Sequence, residues 1–333
     1  MSAPIAAVVG ALGAQGSSVV SALLTSGSPY GVRALTSNAA SPDAVTLSSK
    51  DPRVEVVQTD LLSIDSLVAA FTGATYIFAN TVFRPDVFIN EGAMAAQELE
   101  STHGLNIVRA AAKVSEEGNT LKHVIWSTLP DTDKASGGKL QIPHFGSKIP
   151  AEKFLLDQAN GLKSKTTFLR VGMYGSNLQR VPYSPAFVEG AGKYIVTLPC
   201  SASTPIPMIG KETPNVGLIV DATFRQPQKS LEKYVVAAAE YLTAKEWVGA
   251  LSRACGRDIV FLETSLQAYE DLWGSAGTEI GLMMKYIEEL GEESFTVGVD
   301  KRDILTPEDL GIQKLLGSTE DALRELDWQR IVA

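Results

Sequence analysis

The chain has 333 residues, enough for one large domain and a smaller lobe, and 45% of them are hydrophobic, as in ordinary globular proteins. Its formal net charge is −9 without a run of Lys and Arg, which excludes nucleic-acid binding driven by counterion release. Two cysteines cannot form a disulfide framework, and three histidines without partners at metal-ligand spacing predict no metal site.

Short apolar runs alternate with helical patterns through the first half of the chain. We predict strands at residues 5–9, 32–36, 54–57, 76–79, 123–127 and 167–171, with helices near 15–25, 64–71, 91–114 and 152–159. Strands that alternate with helices imply right-handed βαβ units and a parallel sheet. The expected fold class is therefore α/β, a Rossmann-type doubly wound parallel sheet with a smaller C-terminal α+β substrate lobe.

The alternation weakens after Val171, where a stretch rich in Gly, Pro and Ser is expected to floor a substrate cleft. Thr243 and Glu246 form a capping box that predicts a helix, and residues 258–262 are expected to form a further strand. We therefore assign residues 1–172 to an NAD(P)-binding Rossmann domain, completed by parts of 215–265. Residues 173–333 are assigned to a smaller substrate or partner lobe.

A glycine loop joins the first predicted strand to the first helix. Gly10 permits a tight turn, Gly13 lets the backbone approach a diphosphate, and Gly16 lets the helix pack closely. The free N–H groups at the start of the helix would face the phosphates. Leu12 and Gln15 belong to the same loop and are counted with the cofactor-binding residues. A bare structural turn is the alternative interpretation.

The end of the second strand favours NADP(H) over NAD(H). NAD-binding folds usually place a carboxylate there to bind the ribose hydroxyls, whereas this chain has Thr36, Ser37 and Asn38. Hydroxyls and amides can donate hydrogen bonds to a 2′-phosphate that a carboxylate would repel. Arg33 is a candidate charge partner for that phosphate, although a strand arginine can equally face solvent.

Loops after the later strands supply further candidates. Asp60 and Leu61 follow the third strand, where an adenine edge would lie, although a simple turn aspartate is the alternative. The carboxyl ends of parallel strands line the ligand crevice, so Asn80 and Thr81 after the fourth strand are expected near the cofactor. The expected substrate-pocket residues are Phe83, Met173, Tyr174 and Asn177. Tyr174 is also an alternative proton donor, although an aromatic side chain there is more often a packing residue.

These residues together resemble the NmrA-like proteins, atypical members of the short-chain dehydrogenase superfamily. The motifs that carry the resemblance are GALGAQG at 10–16, VRALT at 32–36, Asp60-Leu61, WSTL at 126–129, HFGSK at 144–148, and LRVG at 169–172 followed by Tyr174 and Asn177. They extend over the first two thirds of the chain. The glycine loop alone is generic, but the ordered set is specific.

The resemblance implies a Rossmann domain separated from a small substrate lobe by a cleft. In the wider superfamily a Tyr four residues before a Lys delivers a proton, and a Ser at the end of the fifth strand orients the carbonyl. Ser127 and Lys148 match that pattern, Lys148 also as a holder of the cofactor ribose, but the Tyr position is His144. Imidazole can act as an acid near neutral pH, although a plain loop histidine is equally compatible. Many relatives have an Arg where this chain has Ser37.

Two functions follow from the resemblance. The first is an NADPH-dependent reductase of a carbonyl, imine or activated C=C bond in a small apolar molecule, with Lys148, Ser127 and His144 around the reacting bond. The alternative is a non-catalytic NADP(H) redox sensor that regulates a protein partner such as a transcription factor. Because no run approaches the roughly 20 apolar residues of a membrane span, we expect a cytosolic protein, with the nucleus as an alternative.

Overall fold

The computed structural model describes residues 3–25, 30–118 and 120–328. Its strands are β1 (Ile5–Val9), β2 (Gly31–Thr36), β3 (Val54–Gln58), β4 (Tyr76–Ala79), β5 (His123–Thr128), β6 (Thr166–Val171), β7 (Met173–Tyr174), β8 (Ala186–Val188), β9 (Lys193–Leu198), β10 (Pro205–Gly210), β11 (Tyr234–Ala237), β12 (Glu240–Thr243), β13 (Ile259–Glu263) and β14 (Ile304–Leu305).

The α-helices alternate with the first strands and dominate the last third of the chain. They are α1 (Ala14–Thr25), α2 (Pro42–Lys50), α3 (Ile64–Phe71), α4 (Pro85–Glu91), α5 (Ala93–Glu117), α6 (Thr132–Ala135), α7 (Pro143–Gly146), α8 (Ile149–Leu156), α9 (Glu212–Arg225), α10 (Pro227–Ser230), α11 (Ala244–Cys255), α12 (Leu266–Leu290) and α13 (Thr319–Arg324). Short 3-10 segments lie at Gln158–Asn160, Lys163–Lys165, Gly175–Gln179, Glu189–Ala191, Gly291–Phe295, Lys301–Asp303 and Gln313–Leu315.

The largest sheet in the described ranges has eight strands in the order β14-β11-β6-β5-β4-β1-β2-β3, and every neighbouring pair is parallel. The strand order reverses between β1 and β4, which opens a crevice outside their carboxyl ends. The predicted Rossmann-type sheet is confirmed. Strands β11 and β14 come from the C-terminal half of the chain, and β14 is not among the predicted elements.

Helices cover both faces of this sheet, so its central strands β1, β4, β5 and β6 are buried on both sides. Along β1, Ala6 and Val8 pack against α1 and α9, whereas Ala7 and Val9 pack against α3 and α5. Helices α1 and α9 approach closely at Gly217, where an added Cβ would lie 2.1 Å from the carbonyl oxygen of Ser18. This packing fixes α1, and hence the glycine loop before it, on the sheet.

The C-terminal region adds two small sheets, β12-β10-β7 and β13-β9-β8, to the large one. The predicted capping box is present: the Thr243 side chain accepts from the Glu246 N–H, and Glu246 accepts from the Thr243 N–H. The helix predicted near residues 91–114 is α5, and Gly92 with φ of +95° separates it from α4, which is not among the predicted elements. Helix α2, capped by Ser41, is not among the predicted elements.

Two features are not found in the described ranges. No helix there combines the length and the apolar composition needed to span a bilayer. No three His, Cys, Asp or Glu side chains of those ranges gather as they would around a metal ion.

His123 at the start of β5 is buried as a neutral imidazole. The Thr167 hydroxyl donates to the carbonyl of Ser230 (2.6 Å), so it accepts from Nε2–H of His123 (2.7 Å). Burial lowers the pKa of His123 from 6.5 to about 4. Between these values the unfolded chain takes up a proton that the folded protein does not, so stability is lost as the pH falls.

We predict that His123→Gln flattens this acid dependence. The amide can donate to Thr167 but does not titrate, so acidification from about pH 7 to pH 4 should cost the variant about 3 kcal/mol less unfolding free energy than wild type. Urea unfolding at each pH measures the difference. His103→Gln, which replaces a half-buried histidine, should remove a smaller part of the acid dependence of the unfolding free energy. Parallel curves for wild type and His123→Gln would contradict the prediction.

Candidate active site

The glycine loop has the geometry that its spacing predicts. Gly10 has φ of +64°, and its carbonyl accepts from the N–H of Gly13 at 2.9 Å. A Cβ at Gly16 would lie 2.1 Å from that same carbonyl oxygen, so only glycine allows α1 to begin against the turn. Gly13 is exposed, with Leu12 half-buried beside it. The exposed backbone at the start of α1 is thus open to an anion.

Asn80 completes this end of the crevice. It follows β4, it is buried, and its Oδ1 has no hydrogen-bond partner among the described residues. The same oxygen lies 3.0 Å from the position that a Cβ on Gly10 would occupy. A buried polar atom without a partner beside a glycine loop fits a bound polar ligand. The loop and Asn80 therefore fit the diphosphate and neighbouring part of a dinucleotide.

The residues predicted to bind the 2′-phosphate do not all lie at the same place in the structure. Ser37 and Asn38 are exposed after β2, next to the half-buried Thr36. Arg33 points elsewhere: its guanidinium pairs with Glu55 (2.9 Å) and donates to the carbonyls of Ala70 and Thr72 at the end of α3. Arg33 therefore does not reach the predicted 2′-phosphate site, because its donors are used at the opposite end of the sheet.

The turn after β3 is held by local hydrogen bonds. The carboxylate of Asp60 accepts from the N–H of Leu62 at 2.9 Å, and the carbonyl of Leu61 accepts from Asn106 on α5 at 3.0 Å. Asp60 is exposed. The two residues lie at the carboxyl edge of the sheet, where they were predicted, but Asp60 also has the structural role of a turn aspartate.

A cavity of about 420 Å³ adjoins the glycine loop. It brings together residues from both halves of the chain, and among them are the predicted Ser127, His144, Lys148, Phe83, Met173, Tyr174 and Asn177, together with Gln15. The remaining wall is largely apolar and includes Leu129, Phe145, Tyr183, Ile280, Met283 and Phe295. Such a cavity suits a small and mainly apolar molecule.

Gln15 links two of the polar groups in the cavity. Its Oε1 accepts from the Ser127 hydroxyl (2.8 Å), and its Nε2 donates to the Tyr174 hydroxyl (2.9 Å). Ser127 therefore orients Gln15 in this arrangement, and its proton does not point to a substrate. Burial raises the pKa of Tyr174 to about 12, which makes its hydroxyl a weak acid. The bridging role of Gln15 was not predicted.

Lys148 directly precedes α8, whose first turn contains Pro150, and its ammonium is buried. Its three acceptors are the carbonyl (2.9 Å) and hydroxyl (2.5 Å) of Thr81 and the carboxylate of Glu100 (2.5 Å). An ammonium has three donors, so this set uses all of them. A ribose hydroxyl would have to replace one of these acceptors.

Glu100 on α5 is the buried partner of Lys148, with only 1% of its side chain exposed. Burial alone would raise the pKa of Glu100, but the charge of Lys148 and hydrogen bonds from Lys148, Ser147 and Thr81 outweigh burial and hold the pKa below its ordinary value. Glu100 was not predicted, because it lies 48 residues from Lys148 in a helix with no local motif.

His144 lies in the one-turn helix α7 and is held by Glu279 of α12. One carboxylate oxygen of Glu279 accepts from the His144 backbone N–H (2.9 Å) and bonds to ring Nδ1 (2.6 Å). The rings of Phe83 and Phe145 pack against the imidazole. Its Nε2 has no hydrogen-bond partner among the described residues, and 22% of the side chain is exposed. Glu279 lies 135 residues away in the sequence, and no motif signals it.

The family model of the NmrA-like family matches residues 4–328 of this chain. The chain belongs to the NmrA-like family. Among curated relatives of this NmrA-like protein, the NmrA-like family domain-containing oxidoreductase cpsB of Aspergillus campestris is 24% identical over 282 residues, which are 82% of this chain and 78% of cpsB.

Solved structures share the fold of this NmrA-like chain. The crystal structure of NmrA, a negative transcriptional regulator, has a TM-score of 0.73 at 22% identity and covers 98% of this chain and 99% of its own. NmrA is also solved in complex with NADP and with NAD. Triphenylmethane reductase of Citrobacter sp., complexed with NADP(H), has a TM-score of 0.63 at 19% identity and covers 97% and 100% of the two chains.

We predict that the buried pair of Lys148 and Glu100 is strongly coupled. Lys148→Met or Glu100→Met leaves the other charge buried without a partner and should lower the free energy of unfolding by about 3–5 kcal/mol. The double variant leaves no unpaired buried charge, so it should lose less than either single variant, which corresponds to a coupling of about 3 kcal/mol or more. Urea unfolding of the three variants measures the coupling.

The matched control is the exposed pair of Lys113 and Asp65, 3.8 Å apart. Its double-mutant cycle should give a coupling of about 0.5 kcal/mol or less, because solvent screens the pair. Equal coupling energies for the two pairs would contradict the assignment of Lys148 and Glu100 as a buried ion pair.

Proposed function

We propose that this protein is an NADP(H)-dependent reductase of a C=O, C=N or activated C=C bond in a small, mainly apolar molecule. The observation that carries the proposal is the cavity beside the glycine loop, where apolar walls surround an imidazole whose Nε2 has no partner among residues 3–25, 30–118 and 120–328. Relatives described as oxidoreductases and a neighbour complexed with NADP(H) support it.

The cofactor would lie across the crevice between β1 and β4. Gly10, Gly13 and Gly16 would hold the diphosphate at the start of α1, and Asn80 would bind the adjoining polar groups. The exposed Ser37 and Asn38 would receive the 2′-phosphate. Bound NADPH supplies the hydride for the reduction.

His144 is the best proton donor among the polar groups of the cavity. Lys148 donates to three acceptors already, and the hydroxyl of Tyr174 has a pKa near 12. Imidazole is the side chain whose ordinary titration lies closest to neutral pH, and no described residue bonds to Nε2 of His144, from which the protonated ring could donate. In this proposal Lys148 contributes a fixed positive charge beside the reacting bond, which stabilises developing negative charge.

A non-catalytic NADP(H) sensor is the second candidate. The arrangement around Lys148 favours it, because Thr81 and Glu100 use all three ammonium donors that a reductase of this superfamily would turn to the ribose. One structural neighbour is described as a negative transcriptional regulator. In this case the net charge of −9 would suit a basic protein partner.

We predict that NADPH binds and that at least one apolar aldehyde, ketone, cyclic imine or enone is reduced. The experiment titrates NADPH by fluorescence and then follows its oxidation with a panel of these compounds. Gly13→Glu is the control. Its Cβ would meet the Gly10 carbonyl oxygen at an ordinary 3.4 Å, so the loop should fold. The added carboxylate should weaken NADPH binding about 100-fold, or ~3 kcal/mol.

The outcomes of this experiment separate the candidate functions. Binding with turnover that Gly13→Glu abolishes supports the reductase. Binding without oxidation of NADPH by any compound supports the sensor. No binding of a nicotinamide nucleotide, or equal binding by Gly13→Glu, would contradict both.

We predict that the residue at position 37 sets the preference between the two cofactors. In Ser37→Asp a carboxylate would repel the 2′-phosphate and accept from the ribose hydroxyls, so the NADPH-to-NADH affinity ratio should fall about 10- to 100-fold. Ser37→Arg should raise that ratio. Thr46→Asp, which adds the same charge on the exposed face of α2, should leave it unchanged. Titration of both nucleotides tests this, and an unchanged ratio in both Ser37 variants would exclude the residue from the phosphate site.

A further inference from the structure

Glu279 is a buried acid in an apolar part of the cavity wall. Its side chain is 7% exposed, and its neighbours Ala276, Ile280 and Met283 on α12 line the same cavity. In the described part of the chain, no Lys or Arg pairs with this carboxylate, and its second oxygen, Oε2, is buried without a hydrogen-bond partner. An apolar side chain would suit such a position better, so stability does not account for the carboxylate.

The contacts of Glu279 converge on one residue. Its Oε1 binds both the backbone N–H and the ring Nδ1 of His144, at 2.9 and 2.6 Å. Two bonds to one residue fix the position of the backbone and the rotation of the ring together. The hydrogen bond at one imidazole nitrogen determines which nitrogen carries the proton in the neutral ring.

We infer that Glu279 is a positioning residue for the reductase proposed above: it keeps hydrogen on Nδ1 of His144, so that Nε2 is the nitrogen that delivers a proton to the substrate. The inference rests on that proposed function. The nicotinamide is the hydride donor. As the substrate carbon accepts the hydride, the π electron pair moves to the oxygen, nitrogen or conjugated carbon at the other end of the double bond. That atom takes the proton from Nε2 of the imidazolium.

The arrangement also accounts for the state of the ring after the transfer. Neutral His144 keeps Nδ1–H bonded to Glu279, so the vacant lone pair is on Nε2. Water in the cavity returns the proton to that same atom. Without the carboxylate the neutral ring could carry its hydrogen on either nitrogen, and the positive ring would lose its counter-charge.

Glu279 connects His144, the proposed proton donor, to the C-terminal region of the chain. His144 lies in α7, between β5 and α8 of the Rossmann part, whereas Glu279 lies on α12. Helix α12 is broken at Gly274, where φ of +60° turns the chain, and Glu279 follows in the second part of the helix. The second part of α12 must therefore pack against the cavity for Glu279 to bind the imidazole of His144.

The test measures the ring directly. The chain has three histidines, so ¹⁵N signals of the His144 imidazole can be assigned by comparison with His144→Gln protein. At a pH where the ¹⁵N signals themselves show a neutral His144 ring, wild type should show hydrogen on Nδ1. Glu279→Met, an unbranched apolar replacement, should show the tautomer mixture of a free imidazole. Glu289→Met, which changes an exposed residue of the same helix, is the matched control.

Kinetics with a reduced compound give the second measurement. Glu279→Met should lower kcat at least about 10- to 100-fold, the loss typical when a partner that orients a metal-binding histidine is removed. The dissociation constant of NADPH and the melting temperature should stay close to those of Glu289→Met. If Glu279→Met does not fold, Glu279→Gln replaces it. The amide keeps an acceptor for the backbone N–H but offers no charge to the imidazolium, so kcat should fall in the same direction.

The inference is overturned if neutral His144 in wild type carries its hydrogen on Nε2, or if the tautomer changes in Glu279→Met while kcat does not. It is supported if the tautomer and kcat change together. If wild type reduces no compound, the proposed function fails, and the ¹⁵N spectra still decide whether Glu279 fixes the ring.

Discussion

The close contact between α1 and the turn after β1 is the constraint on which the rest of the site depends. A Cβ at Gly16 would overlap the carbonyl of Gly10, so the absence of this one atom lets the helix pack against the turn that follows the strand. The same contact sets the first turn of α1 at the cavity, where Gln15 reaches both Ser127 and Tyr174. The loop that would hold the diphosphate therefore also shapes the polar side of the substrate cavity.

Three buried carboxylates lie within or beside the segment from α7 to α8. Glu279 holds His144, Glu100 holds Lys148, and Glu152 of α8 accepts from the hydroxyls of Thr128 and Tyr234. Buried charges of this kind add little net stability compared with apolar replacements, because desolvation offsets their attraction. Their value lies in orientation, since each acid fixes polar groups of the cavity or of the neighbouring strands.

The fold could be predicted from the sequence because its signals are local. The glycine spacing at 10–16 and the alternation of apolar strands with helices depend on neighbouring residues, and the structure has them where they were expected. Glu100, Glu279 and the bridging role of Gln15 could not be predicted, since they act on residues 48 to 159 positions away. The prediction for Arg33 was wrong for a related reason. A strand position gives the side of the sheet but not the direction in which a long side chain bends.

The two candidate functions differ in which charges the protein keeps fixed. The Lys148 ammonium is bound on all its donors by groups of the Rossmann part, an arrangement that a purely cofactor-binding protein could retain unchanged. The imidazole of His144 is different, because its carboxylate partner comes from α12 and Nε2 remains without a partner in the described residues. In the proposed reductase the buried acid in that apolar wall has a role in positioning the imidazole, which the proposed sensor does not require. The proposed reductase therefore depends on the C-terminal helix, whereas the glycine loop is common to both candidate functions.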